Sequence, residues 1–321
     1  MIARLGMWFS IAAVVLAAIA VFPGSLGFLA FTHEFTATAA GAFFAHTLAW
    51  WIWLIGLGLL GAALCSTRIR RANRIATALG VCGFAVISAY GFLMHTSFLF
   101  RPVKQPEYVT LEEAIRRFGE KEPVIGVIGA DGAAFAYVAR LARRPHVVFQ
   151  PEGAPFIMSH CVLSNSSMAY RAGPEFRPED IKISSVLANN LVFYEAGTHC
   201  SFQQIYNASM DRSRTLASLP TITTTLSAWQ RLYPEAKVWV RAREWRDTFY
   251  LKLLARASVI DQNNPDLVYP LVRPADPRLP LKAHVMGVMV KGDSRAYPAG
   301  LFREHRLVAD TVGDEPVVFF A

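Results

Sequence analysis

The apolar residues of this chain run almost unbroken in three stretches near its start and then alternate with polar residues to its end. The runs cover about residues 5–22, 44–65 and 75–98. Each comes close to the roughly 20 apolar residues that a membrane-spanning helix needs. Between the second and third runs lies Thr67-Arg68-Ile69-Arg70-Arg71-Ala72-Asn73-Arg74, and the positive-inside rule puts such a loop in the cytoplasm. The chain then starts inside, and everything after about residue 100 lies outside. The pattern predicts a transmembrane anchor over 1–100 and an extracytoplasmic, periplasmic domain over 101–321, with a bacterial inner membrane as the site. A signal peptide cleaved near Ala17-Ala18-Ile19-Ala20 is the competing reading of the first run, and it leaves the domain on the same side.

Between the first two runs, Phe28, Phe31, Phe35, Phe43 and Phe44 mark an amphipathic or re-entrant segment at the headgroup level. His33, His46 and His95 fall near the same outer face. They could ligate haem or copper, but with no fixed mutual spacing they read as interfacial polar residues. The second run carries Trp50, Trp51 and Trp53 as an aromatic anchor, followed by Gly58, Gly61 and Ala62. Gly58 and Ala62 form a small-xxx-small pair, the pattern that lets a second helix approach closely. That helix is another run of the same chain or belongs to a separate membrane subunit. Cys65 and Cys82, in or beside apolar runs, read as small packing residues.

After Arg101-Pro102 the period changes. Thr110 followed by Glu113 is a capping box that opens a short amphipathic helix to Phe118. Short β-branched runs separated by Gly, Pro and Asp come next and predict strands. One such pattern occurs twice. Val124-Ile125-Gly126-Val127, Ala136-Tyr137, His146, Gly153 and Pro155-Phe156-Ile157 parallel Val285-Met286-Gly287-Val288, Ala296-Tyr297, His305, Gly313 and Pro316-Val317-Val318. The expected architecture is therefore three N-terminal transmembrane α-helices followed by a β-rich (α+β) domain built from two related halves.

Composition adds two limits. The 53% hydrophobic content is concentrated in the first hundred residues, and the net charge of +8 is scattered or confined to the inter-helix loop. Such a distribution is membrane topology plus an ordinary basic surface, and it does not predict a nucleic-acid partner. No P-loop, dinucleotide fingerprint, Gly-x-Ser-x-Gly, His-Glu-x-x-His or Cys-x-x-Cys stands at a usable place. Asp131, Asp310 and Glu315 flank predicted turns and read as turn residues.

These residues resemble a prokaryotic family known as domain of unknown function 3179. Its pattern is a Val-Ile-Gly-Val strand, an Ala-Tyr-Pro turn, a His before a hairpin, and a strand ending in Tyr-Cys-Pro-Leu-Cys. Ala296-Tyr297-Pro298 matches well, His305 to Gly313 in part, and Ser159-His160-Cys161-Val162-Leu163-Ser164 falls at the last position. Gly197-Thr198-His199-Cys200 through Gln204, and Tyr233-Pro234 through Val238, resemble the family's middle segments. The resemblance covers about residues 108–321 and implies a fold but no reaction. Val162 and Ser164 stand where the family has Pro and its second Cys, so a Cys-x-x-Cys pair is not carried over.

Candidate chemistry centres on the pairs His160-Cys161 and His199-Cys200, which hold the only cysteines outside apolar runs. A Cys161–Cys200 disulfide suits an oxidising compartment. A copper or zinc site using His160, Cys161, His199 and Cys200, with Met158 or Met168 as a weak ligand, is the alternative. On regular strands each His would point away from its neighbouring Cys, which argues against the metal unless a bulge intervenes. Buried thiols and core histidines are the third reading, and a Cys161 nucleophile belongs within it. The expectation is a non-catalytic accessory subunit of a larger membrane complex, in contact with the lipid bilayer and other membrane subunits; the sequence leaves its cofactor unknown, with copper or zinc as the alternative to none. A periplasmic redox or metal-binding domain is the rival expectation.

Overall fold

A computed structural model describes residues 5–25, 30–66, 71–256, 264, 266–271 and 273–320. The chain divides into two compact units, Met1–Leu253 and Leu254–Ala321. The division falls far from residue 100, where the hydropathy pattern alone would cut, because the N-terminal helices and the first strands pack as one unit.

In that unit, α1 (Leu5–Val21) is followed by α2 (Ala30–Ala37) and α3 (Ala39–Phe43). A π-helical stretch, Phe44–Leu48, then leads into α4 (Ala49–Ser66), and α5 (Arg71–Met94) follows. Two helical segments are long and apolar enough to cross a membrane, Ala39–Cys65 and Arg74–Met94. The first expected span is a helix of 17 residues, below that length. The third ends earlier than expected. His95 takes an extended backbone and caps the short α6 (Thr96–Leu99), its Nδ1 accepting from the Ser97 amide at 3.1 Å. Most of the arginine-rich loop, residues 67–70, lies outside the described residues.

The β part of the first unit is layered. β1 (Glu107–Val109) leads to α7 (Leu111–Phe118), where Thr110 Oγ1 accepts from the Glu113 amide as the capping pattern requires. β2 (Pro123–Ile128), β3 (Ala134–Val138), α8 (Ala139–Ala142), β4 (Val147–Gln150), β5 (Phe156–Cys161) and β6 (Ser166–Arg171) follow. Next come β7 (Ile181–Leu187), β8 (Asn190–Glu195), β9 (Cys200–Gln203), β10 (Ala208–Ser209), β11 (Ser218–Leu219) and β12 (Thr221–Thr225). The unit closes with α9 (Leu226–Leu232), β13 (Lys237–Val240) and α10 (Trp245–Arg256).

The strands form sheets ordered β1-β13-β3-β2-β12, β11-β6-β5-β4 and β10-β9-β8-β7. Ile125, Val127, Phe135 and Tyr137 of the first sheet pack against Val148, Phe156 and Met158 of the second. The opposite face of the first sheet is covered by Leu111 and Ala114 of α7 and by Leu226 and Trp229 of α9. Strands buried on both faces read as unbroken apolar runs, which is why β2, β4 and β5 do not alternate.

In the second unit, β14 (Val285–Val290) pairs with β15 (Asp293–Pro298), α11 (Leu301–Glu304) follows, and β16 (Leu307–Val312) pairs with β17 (Glu315–Phe320). This strand-strand-helix-strand-strand order is also that of residues 123–161. The registers correspond: Gly126 lies opposite Ala136 and Ile125 opposite Tyr137, while Gly287 lies opposite Ala296 and Met286 opposite Tyr297.

Candidate functional site

Strand β5 keeps an unbroken register against β6, from Phe156 opposite Arg171 to Cys161 opposite Ser166, so no bulge occurs at His160. His160 is buried, its Nδ1 lies 2.9 Å from Ser167 Oγ, and its amide donates to the His146 carbonyl at 2.7 Å. His146 Nδ1 donates in return to the His160 carbonyl at 2.9 Å, which leaves Nε2 to face Tyr250 Oη at 3.3 Å. Burial pushes the His146 imidazole down to about 4 and the His160 imidazole to about 3, so both are neutral at ordinary pH. Cys161 donates its thiol to the Asn189 carbonyl at 3.6 Å.

The second pair is built differently. His199 is exposed, sits in the turn before β9 and takes a left-handed backbone with φ 55°; strand alternation, the basis of the sequence reading, does not apply to it. Its Nδ1 meets Tyr194 Oη at 2.9 Å, and its ring meets Phe43 edge-on at 5.3 Å. Cys200 pairs with Glu195 at the end of β8, whereas Cys161 touches Asn189 just before that strand begins. Six residue steps at about 3.3 Å put the two cysteines roughly 20 Å apart along β8, against about 7 Å for a disulfide. Both are free thiols, so the Cys161–Cys200 bridge expected from sequence is not formed. Met158 is enclosed in the inter-sheet core. The expected copper or zinc set of His160, Cys161, His199, Cys200 and Met158 is therefore not brought together, and no group of three or more metal-binding side chains occurs among the described residues.

A hydrogen-bonded staple stands where a covalent one was expected. Gln204, fully buried, donates to the Ser159 carbonyl at 3.2 Å and the Ser166 carbonyl at 3.0 Å. Its Oε1 accepts from Ser166 Oγ at 2.7 Å and from Asn190 Nδ2 at 2.9 Å. One side chain thus joins β5 and β6 to β8. Saturating every polar atom is what makes such burial tolerable. The Asp131 carboxylate accepts from the Ala133 amide at 3.1 Å, the turn role its position implied.

The densest polar cluster lies elsewhere, along the seam between the N-terminal helices and the strands. Arg144, buried, donates to Asp247 at 2.6 Å and to the Leu99 carbonyl of α6 at 3.0 Å. Arg246 donates to the Phe98 carbonyl at 2.9 Å and lies over the Phe98 ring. Arg241 holds the other side of Asp247 at 2.7 and 2.9 Å. Burial alone would raise the Asp247 carboxyl, but hydrogen bonds from Arg241, the Glu244 amide and Arg144 outweigh it and hold it at about 2.

Farther along the seam, α2 lies on β7. Ser185 Oγ donates to the His33 carbonyl at 2.8 Å, Ser184 Oγ donates to the Thr36 carbonyl, and burial pushes the His33 imidazole down to about 4. His46 stacks on Tyr194 with ring centroids 6.2 Å apart, and its Nδ1 meets Ser97 Oγ at 2.9 Å. His33 and His46 are thus parts of a joint. Sequence reasoning passed over Arg144, Asp247 and Gln204, because Arg143-Arg144 and Arg243-Glu244 look like solvated surface and nothing local marks Gln204 as buried.

On the outward side of α4, Gly58 and Gly61 have open space where a Cβ would stand, and Ala62 is exposed. The opposite side carries the packing within the chain: Gly56 lies against the Ala13 carbonyl and Phe84, and Leu60 joins Ala13, Ala17 and Phe84 in a buried cluster.

No curated protein and no solved structure matches the chain. Residues 101–321, which take in every β-strand and the seam arginines, match one family, and the chain belongs to it: the family described as "Protein of unknown function (DUF3179)".

Proposed function

We propose that the chain is a membrane-fixed platform, an accessory subunit that holds its β domain rigidly at the periplasmic face of a bacterial inner membrane for a larger membrane complex. The observation that carries this reading is the seam. A domain that only needed a tether would require neither the Arg144 and Arg246 bonds to the Leu99 and Phe98 carbonyls nor the docking of α2 on β7. Burying Arg144 against Asp247, with Arg241 half-buried beside them, is costly unless their geometry is held, so the arrangement fits a joint that must not bend.

In this reading α1, α4 and α5 are the three spans. α1, about 25 Å long at 1.5 Å per residue, is slightly short for an upright crossing. The open face at Gly58, Gly61 and Ala62 is the inferred contact for a helix of the partner subunit. The segments 123–161 and 285–320 are read as related halves on the strength of their shared element order and register.

Purification of the intact chain from membranes in mild detergent tests the proposal. A co-purifying integral membrane protein that is lost on Gly58→Leu is expected. A monomeric particle with nothing bound contradicts it.

A further inference from the structure

The outer ends of α1, α4 and α5 surround a cavity of about 280 Å³ that borders the seam at Ser97 and Phe98 but holds none of its arginines. Its size is near the lower end of small-molecule pockets, about 300–1,000 Å³. Trp50, Trp53 and Phe92 form its apolar wall, with Phe92 at 5.2 Å from Trp50 and 5.8 Å from Trp53. The wall is fixed from behind, since Trp53 Nε1 donates to Ser88 Oγ at 2.9 Å. His95, Ser97 and Arg101 line the other end, so the cavity runs from wholly apolar to cationic. His95 and Ser97 are tied to each other and to His46 and do not offer the charge. Arg101 does. The seam arginines 144, 241 and 246 all meet a carboxylate, while Arg101 is exposed and its guanidinium makes no ion pair with a described residue. Trp50, which lines the cavity, is 50% exposed beside Trp51 at 66%, so the cavity opens on an aromatic surface of the kind that sits at the membrane boundary.

We infer that this cavity is a binding site for one anionic phospholipid, with an acyl chain against Trp50, Trp53 and Phe92 and the phosphodiester on Arg101. An apolar wall alone would suit any lipid tail. A guanidinium fork with no ion-pair partner among the described residues selects, at the polar end, a phosphate, which it can hold in two parallel hydrogen bonds. A free phosphate ion would leave the aromatic wall uncovered. The inference rests on the reading of the N-terminal helices as membrane-inserted, and the test separates the two.

The intact chain is purified in mild detergent, stripped of lipid, and titrated with phosphatidylglycerol or phosphatidylcholine under native mass spectrometry. One phosphatidylglycerol is expected to bind about fivefold more tightly than phosphatidylcholine, the factor that one interfacial arginine supplies. Arg101→Gln is expected to abolish that preference with an unchanged melting transition, Arg143→Gln to preserve it, and Trp50→Ala to weaken both lipids alike. Equal binding of the two lipids, or a preference that survives Arg101→Gln, overturns the inference. A chain that stays in the aqueous phase without detergent and does not partition into vesicles overturns the membrane reading along with it.

Discussion

Residues 123–161 and 285–320 use one strand order and one hairpin register in opposite surroundings. In the first segment β2–β3 gains β12, β13 and β1 as sheet neighbours and β4–β5 gains β6 and β11, and nearly every side chain on β2–β5 is buried. In the second, each hairpin is a two-stranded sheet; β14 alternates exposed positions such as Val285 and Met289 with half-buried ones, and β15 is exposed except at Tyr297. The corresponding glycines differ accordingly. A Cβ at Gly126 would run into the Trp229 ring of α9, while one at Gly287 would meet nothing within 4 Å. The turn chemistry is common to both: Gly153 and Gly313 have positive φ, and each lies against an aspartate of the preceding hairpin, Asp131 and Asp293. A hairpin pattern therefore specifies the hairpin, and the strands added around it decide which positions become intolerant of change.

The sharpest way to break this comparison is to substitute the two glycines in parallel. Gly126→Ala is expected to cost about 3 kcal/mol, because the Trp229 ring is itself enclosed and cannot yield. Gly287→Ala should stay within about 0.5 kcal/mol. Equal costs by chemical denaturation would show that the second segment is also enclosed.

Mild acid, between about pH 6.5 and 4, should act on the first segment. Below about pH 6.5 the unfolded chain takes up protons that His146 and His160 refuse until about 4 and 3. Stability therefore falls as the pH drops from about 6.5 to 4, by about 3 kcal/mol from His146 alone. His305, the counterpart of His146, is exposed. All 7 tryptophans precede residue 254, so tryptophan fluorescence during an acid titration reports the first unit and should show the loss.

Gln204→Ala removes the staple between β5–β6 and β8, which has no equivalent among the described residues of the second segment. About 2 kcal/mol is expected, since Asn190 and the Ser159 and Ser166 carbonyls lose a buried partner. The smallest contrast is at the paired tyrosines. Tyr137→Phe should cost about 1 kcal/mol through the lost bond to Tyr108, and Tyr297→Phe less than about 0.5, because Asp310 keeps Arg295. Thermal melts of the glutamine variant, the two tyrosine variants and their parent would rank them.

Much of this was written locally in the chain. Thr110 caps α7 where Thr-x-x-Glu said it would, and the Asp131-Gly132 turn set the β2–β3 hairpin. The candidate site was not local. The left-handed turn at His199 removes the alternation that was set against a metal site, the separation of Cys161 from Cys200 is set by tertiary pairing, and the seam joins residues such as His33 and Ser185 that are 152 positions apart. Nor does a pair such as Arg143-Arg144 reveal which arginine is buried: Arg143 faces solvent, and Arg144 is enclosed only because Asp247 and the Leu99 carbonyl surround it.

The platform reading requires the connection between helices and strands to be as ordered as the strands themselves. Residues 96–103 make it: the Thr96 amide donates to the Gly24 carbonyl at 2.9 Å, the Val103 amide to the Val147 carbonyl at 3.0 Å, and the Phe149 amide to the Val103 carbonyl at 2.8 Å. Hydrogen–deuterium exchange on the intact chain in lipid nanodiscs measures this directly. The account predicts that the amides of Thr96, Phe98 to Phe100 and Val103 are protected to the same degree as those of β2–β5. Exchange across this segment at the rate of an unstructured linker would contradict it.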